Sequence, residues 1–351
     1  MPGKHFKFAI STLSCASTNI LLPHQIMLPH YATPATIDRL AAMRHALQHT
    51  IPLQDCTASL HVGYMINSLN AAQELQDRDI PISSIDTPDV VSLLAFFIEI
   101  LKNTFSDMSF RKIKTTLGWQ FASVTNNQEF IKKVSEGIAS LNSTDTIHFI
   151  RSSCGSWHKD RVGQTLLDLL SEKRKQFETL ALALEIDAKH QTPEEYFEFV
   201  YKLHKHNPKI PIYFDLDVGH IAEARKRHRH KSIEKSEIIV EKLLSNKKYS
   251  HLIGMLSLNQ YDHTQDETHI SLLKGSIDYL QIIRMLGQAV RGGQLHFDPA
   301  IMAEFSPFAY REMMSLDGIK YFHQLKKAYF ASNSSILDVL KPTTTSSSIQ
   351  S

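Results

Sequence analysis

The chain has 351 residues, 42% of them hydrophobic and 21% charged, with a formal net charge of +2. This is a globular balance with ample material for a core, which excludes a disordered or fibrous chain. A net charge this small singles out no nucleic-acid or membrane partner by itself. Cys15, Cys56 and Cys154 are few, odd in number and far apart, which argues against a disulfide framework and for a reducing compartment, the cytoplasm by expectation. No apolar run is long enough to span a bilayer.

Taken in chain order, KFAISTLS (7–14) reads as a buried first strand better than as the core of a signal peptide, being short and rich in Ser and Thr. A second strand is expected within 19–28, a helix over 33–50 and a third strand over 55–64. An apolar helix follows at 88–105. The segments 110–119 and 127–141 read as an insertion before a fourth strand, TIHFIRSS (146–153).

From there the pattern is regular. LALALEID (180–187), IPIYFDLD (210–217), HLIGMLSLN (251–259) and PAIMAEFSP (299–307) are dense apolar runs, as strands buried on both faces should be. Helices are expected between and after them over 192–207, 232–248, 276–290 and 316–332. The first has Thr192 as N-cap and Pro193 in its first turn. Repeated strand–helix units imply a parallel sheet with right-handed crossovers, and the spacing fits either a closed barrel or an open doubly wound sheet. One domain is expected over 1–340, with KPTTTSSSIQS (341–351) a disordered polar tail.

In a parallel barrel the chemistry gathers where strands end and βα-loops begin. Polar residues recur at those points: His61, Glu185, Asp217 and His220 as D-x-x-H, Glu267 and His269 as E-x-H, and Glu304. Each has a plainer reading. Glu185 could be paired with an Lys or Arg inside the barrel, Asp217 could cap a helix, and His61 could be a core histidine. Together, carboxylates and imidazoles at one mouth suit one to three divalent ions, zinc first, with manganese or iron as alternatives.

On these residues the chain resembles the endonuclease IV family of abasic-site endonucleases, within the xylose-isomerase-like (β/α)₈ TIM barrels. ASLHVGYMIN, ALALEIDA, YFDLDVGH, ETHISLLKGSID and IMAEFSP carry the resemblance, which is best over 55–67 and 180–307. It implies His61 and Glu185 at one metal, Glu185, Asp217 and Glu304 at a second, and His220, Glu267 and His269 at a third. Two family histidines are replaced by Ser153 and Ser257, which are poor zinc ligands, and His148 and His263 are the nearest imidazoles that could substitute. Tyr64 and Met65 match residues that wedge into DNA at an abasic site. The basic run after His220, with Arg225, Lys226, Arg227 and Arg229, reads as phosphate-attracting or as a solvated helix face.

The expectation is therefore a metal-dependent phosphodiesterase acting on DNA with an abasic site, Glu185 and Glu304 being central to catalysis. A sugar isomerase or epimerase on the same barrel, with a small sugar as its partner, is the first alternative. A catalytically degenerate barrel that only binds a ligand is the second.

Overall fold

The computed structural model describes residues 6–15, 34–51, 56–61, 115–118, 147–154, 162–173, 181–228, 235–295 and 297–331. Eight parallel strands close into a barrel: β1 (Phe8–Ser11), β2 (Cys56–His61), β3 (Thr115–Gly118), β4 (Ile147–Ser153), β5 (Ala181–Glu185), β6 (Ile212–Asp217), β7 (Ile253–Leu258) and β10 (Ala300–Ala303). Between β7 and β10 lies a separate antiparallel hairpin, β8 (Gln260–Asp262) with β9 (Glu267–Ile270). The described helices of more than a single turn are α1 (Pro34–Leu47), α2 (Val162–Lys173), α3 (Pro193–His206), α4 (Val218–Arg227), α5 (Ser236–Ser245), α6 (Tyr279–Arg291) and α7 (Leu316–Phe330).

The second half follows the sequence closely, and the first half requires a correction. The third barrel strand, Thr115–Gly118, lies inside the segment 110–119 that reads as inserted. The strand at 56–61 is consequently second in the barrel and not third. Four residues reading Thr-Thr-Leu-Gly give no alternation to recognise, and the neighbours β2 and β4 define them as a strand. The strand expected within 19–28, the helices expected at 88–105 and 127–141, and the tail lie outside the described residues.

Local chemistry explains the elements that frame the mouth. Thr192 caps α3 in a complete capping box with Glu195, and Pro193 occupies the first turn. This helix buries Tyr196, Phe197 and Val200 against the sheet. The Tyr196 hydroxyl donates to the carbonyls of Leu184 (2.7 Å) and Asp215 (2.9 Å), which locks the C-terminal parts of β5 and β6 together. Ser14 does the same for the barrel seam, donating to Ala303 O and accepting from Phe305 N on either side of Glu304.

Inside the barrel, strand alternation puts Ala183 and Glu185 on one face, and likewise Met255 and Ser257, and Met302 and Glu304. Ala9, Ala183, Met255 and Met302 form their own small buried apolar group, distinct from the main core. The polar residues begin above this floor.

Candidate metal centre at the barrel mouth

Directly on the floor sits Arg151 of β4, a residue the sequence reading passed over. Its Nη1 lies 3.6 Å from Met302 Sδ. Its Nε donates to Asp215. Its Nη2 donates to Glu304 Oε2 (3.2 Å), Ser257 Oγ (3.3 Å) and Glu185 Oε2 (3.4 Å). Ser257 in turn donates to Asp215 Oδ1 at 2.8 Å. All six residues are buried. Burial works against the charge on Arg151, but Asp215, Glu304 and Glu185 outweigh it and raise its pKa above the ordinary value. The guanidinium is a permanent internal cation.

Above this layer the Oε1 atoms of Glu185 and Glu304 and the carboxylate of Asp217 meet the histidines. Glu185 Oε1 is 3.3 Å from His220 Nε2, and Glu304 Oε1 is 3.8 Å from His269 Nε2. Asp217 Oδ2 is 3.9 Å from His220 Nε2. The two imidazole rings stand edge to face, 5.2 Å apart. One ligand atom from each of Asp217, His220 and His269 lies within 4.8 Å of the others. Two imidazoles and a carboxylate are a donor set that suits a first-row divalent ion or magnesium with open positions for a second ligand.

The supports are as specific as the donors. Asp217 caps α4, accepting from His220 N at 2.8 Å, so a single carboxylate both starts the helix and fixes His220 beside itself. His220 Nδ1 is held by Glu223 Oε2 at 3.0 Å, which leaves Nε2 facing the mouth. Asn259 is the hub. Its Nδ2 contacts both oxygens of Asp217 at 3.1 Å, its Oδ1 accepts from His269 N at 2.7 Å, and its own backbone N–H and carbonyl are both held by the Tyr279 hydroxyl. Gly219 lets α4 approach this hub: a Cβ there would lie 2.2 Å from Asn259 O. His269 has φ +59°, a left-handed conformation costly for a non-glycine residue, and it is pinned from both sides because Ser306 N also donates to its carbonyl.

Among the described residues four buried carboxylates (Glu185, Asp215, Asp217 and Glu304) cluster at the mouth, and the Arg151 guanidinium pairs with three of them, Glu185, Asp215 and Glu304. The excess negative charge has to be balanced by protons or a cation. In the metal-free protein protons do this work. Burial pushes Glu185 up to about 8, with His220 and Arg151 pulling the other way. His220 is raised to about 10 against its burial, by Asp217, the Glu223 hydrogen bond and Glu185.

The remaining sequence candidates are placed as follows. Glu267 stands outside the group, exposed on β9, where with Asp262, Thr268, Phe308 and Glu312 it lines a cleft of about 630 Å³ beside the mouth. An extended E-x-H would put both side chains on one face, but the left-handed φ of +59° at His269 turns its imidazole inward and leaves Glu267 outward. His61 ends β2, and its side chain, like that of His148, lies outside what is described. Ser153 ends β4 in register with Glu185. His263 sits on the hairpin turn with its ring 4.8 Å from that of Tyr261. Arg225 is buried on α4. Lys226 donates to His263 O (2.9 Å) and pairs with Asp266 (3.3 Å), and Arg227 pairs with Glu223 (2.7 Å). Tyr64, Met65 and Arg229 are outside the described residues.

Three of the site's residues went unread: Arg151, Asp215 and Asn259. The first two carried a usable pattern. Each is a charge inside a barrel strand, two residues before a position already suspected of facing inward. Asn259 gave none, since an amide just past a strand end is ordinary loop composition.

No family model matches the chain, and no curated protein does. Solved structures do. A xylose isomerase-like TIM barrel protein from Mycobacterium smegmatis, determined in complex with magnesium, superposes with a TM-score of 0.51 at 12% identity, covering 94% of this chain and all of that one. The fold is the xylose isomerase-like TIM barrel. An L-ribulose 3-epimerase (TM-score 0.46, 10% identity, 91% of each chain) and a D-psicose 3-epimerase from Clostridium cellulolyticum H10 with D-tagatose (TM-score 0.43, 11% identity, 92% of this chain and 98% of that one) also match. At these identities the likeness is one of fold alone, and membership of the endonuclease IV family is not established by it. Among the described residues no helix is long and apolar enough to cross a membrane.

Proposed function

We propose that this protein is a single-cation enzyme that moves a proton on a small polyhydroxylated substrate, in the isomerase or epimerase class. The observation that carries this reading is the division of the mouth into two layers. Arg151 holds the carboxylate centre, and among the described residues Asp217, His220 and His269 above it gather as a donor set. A divalent cation held there would act as a Lewis acid on a carbonyl or hydroxyl oxygen of the substrate. The magnesium complex of the M. smegmatis barrel is a precedent for a hard divalent ion in this fold.

The chain's own residues supply the rest. Glu185 is a carboxyl whose burial lifts it to about 8, so it exchanges a proton near neutral pH as a general acid–base needs to. Its Oε2 is fixed by Arg151 while Oε1 faces the mouth beside His220. Glu304 is held in the same way across the barrel. The adjoining cleft, with Phe308 exposed to 70% and flanked by the carboxylates of Glu267 and Glu312, offers a stacking face and hydroxyl acceptors, which suits a sugar. A phosphodiesterase reading needs two or three ions, and it loses the central position to Arg151. The acidic mouth also repels a phosphate backbone.

The test is proton exchange. Protein loaded with magnesium or manganese is incubated in D₂O with a panel of aldoses and ketoses, and deuterium entering a carbon-bound position is followed by NMR. Wash-in that disappears in Glu185→Gln supports the proposal. Chelator-sensitive cleavage of abasic-site DNA without wash-in would hand the site to the phosphodiesterase reading, and neither activity would leave a binding barrel.

A further inference from the structure

We infer that Arg151 is a built-in replacement for a metal ion: its guanidinium fills the central cation position of the barrel, so the inner carboxylates hold no second ion. The resemblance drawn from the sequence puts a metal at Glu185, Asp217 and Glu304, and a family histidine where this chain has Ser257. The residues present do not fit that ion. The oxygens that would converge on it, Glu185 Oε2 and Glu304 Oε2, both accept from Arg151 Nη2. They lie 3.4 and 3.2 Å from that nitrogen, spread around a planar donor fork. A metal would draw its ligands in to about 2.0–2.6 Å.

The other substitutions at the centre agree with the replacement. Serine at 257 is small enough to admit the guanidinium, and its hydroxyl is used twice, accepting from Arg151 and donating to Asp215. An imidazole at 257 would compete for that space. Asp215 takes the Nε side of the fork, so two of the guanidinium's nitrogens have carboxylate partners. Met302 packs on Nη1 from the apolar floor. Arg151, Ser257 and Asp215 therefore work as one unit, in which an arginine and a serine stand for an ion and its histidine. Unlike an ion, a guanidinium cannot dissociate or lend an open coordination position. It fixes Glu185 and Glu304 and leaves metal chemistry to the layer above.

The inference stands whether or not the isomerase reading holds, and a metal count separates the two. The full chain is equilibrated with Mn²⁺, freed of excess ion and measured by elemental analysis as wild type, as Ser257→His, and as Arg151→Met/Ser257→His. The expected counts are one equivalent, one equivalent and two. A double variant that binds no more than wild type overturns the inference, and so does a gain in Ser257→His while the guanidinium is still present. Zero in wild type with one in the double variant sinks the single-cation enzyme and keeps the inference. If the double variant does not fold, Arg151→Met/Asp215→Asn removes the guanidinium together with one of its carboxylates. Mn²⁺ should then raise its melting temperature over the chelated protein by more than it raises that of wild type, and an equal rise overturns the inference.

Discussion

Gly219→Ala is the smallest change that should dismantle the site without touching a donor. The added methyl carbon would lie 2.2 Å from Asn259 O, 2.8 Å from its Cγ and 2.9 Å from its carbonyl carbon, whereas ordinary contact begins at 3.4 Å. Helix α4 and the Asn259 backbone must therefore separate by more than about 1 Å, a shift that overpacked sites accommodate at about 1–3 kcal/mol. The cost does not stop there, because Asn259 spans Asp217 and His269 through contacts of 3.1, 3.1 and 2.7 Å. A 1 Å displacement takes these past hydrogen-bonding range. The net loss should reach about 2–4 kcal/mol, since each buried bond to a charged partner is worth about 1.5–3 kcal/mol. Calorimetry reads the stability, at roughly 1–2 °C per kcal/mol for a chain of this size, and Mn²⁺ titration reads the site, with a 10–100-fold weaker affinity expected. Gly292→Ala is the control, its nearest contact being a milder 3.2 Å and its φ an ordinary −76°. Normal metal affinity in Gly219→Ala, at whatever stability, would refute the reasoning that Asn259 couples the two elements.

Asn259→Leu should keep the volume and lose the hub. We expect about 1–3 kcal/mol of destabilisation from the orphaned Asp217 and His269 groups, with weaker metal binding, and a variant that binds Mn²⁺ like wild type would contradict this. His269→Gly should lose the metal yet melt no lower than wild type in chelator, because glycine adopts φ +59° without cost; a large drop would mean that the imidazole is mainly structural. The pH dependence has a definite sign. Glu185 at about 8 and His220 at about 10 both bind protons more tightly folded than unfolded, where 4.5 and 6.5 are their ordinary values. The stability they give the metal-free protein is complete below those ordinary values. It is lost as pH rises through 8 for Glu185 and through 10 for His220. Melting temperature in chelator should therefore fall between about pH 6.5 and 9, and Mn²⁺ should protect increasingly over that range as it takes the place of protons. A chelated protein that grows more stable on that climb would contradict the charge count at the mouth.

Most of the second half of the barrel was legible because β5, β6, β7 and β10 are buried on both faces and read as short dense apolar runs. The first half was not, because β3 is four residues with no distinguishing pattern, and its identity as a strand comes from pairing with β2 and β4. The inward carboxylates Glu185, Asp217 and Glu304 were found for a sound reason: a charge in an apolar strand needs a partner. For Glu185 an arginine inside the barrel was one of the two readings, and Arg151 pairs with it and with Glu304. The rule that called for a metal applies equally to an arginine, and Arg151 stood in plain view in TIHFIRSS with the parity of Ser153. Spacing cannot choose between a metal and a guanidinium, since both satisfy the same electrostatic demand. Glu267 shows the opposite failure. E-x-H places its two side chains on one face of a strand, yet the positive φ of His269 turns the imidazole away from that face, and no local rule announces a left-handed histidine.

That left-handed histidine says most about what the site is for. Holding a non-glycine residue at φ +59° costs of order 1–3 kcal/mol, and the protein spends several contacts to keep it. Asn259 takes the His269 amide, Ser306 donates to its carbonyl, and the far end of the hairpin is clasped to α4 by Lys226 on Asp266 and His263. The same helix carries His220, so the clasp ties together the two elements that present the imidazoles. A core histidine could have been accommodated by an extended strand and ordinary packing. A strained one, oriented to meet a second imidazole 5.2 Å away across a carboxylate that is itself held by two donors, is arranged for a shared ligand. Below it, Arg151 has already met the charge demand of the inner carboxylates. The work left for the upper layer is to bind something that a guanidinium cannot replace.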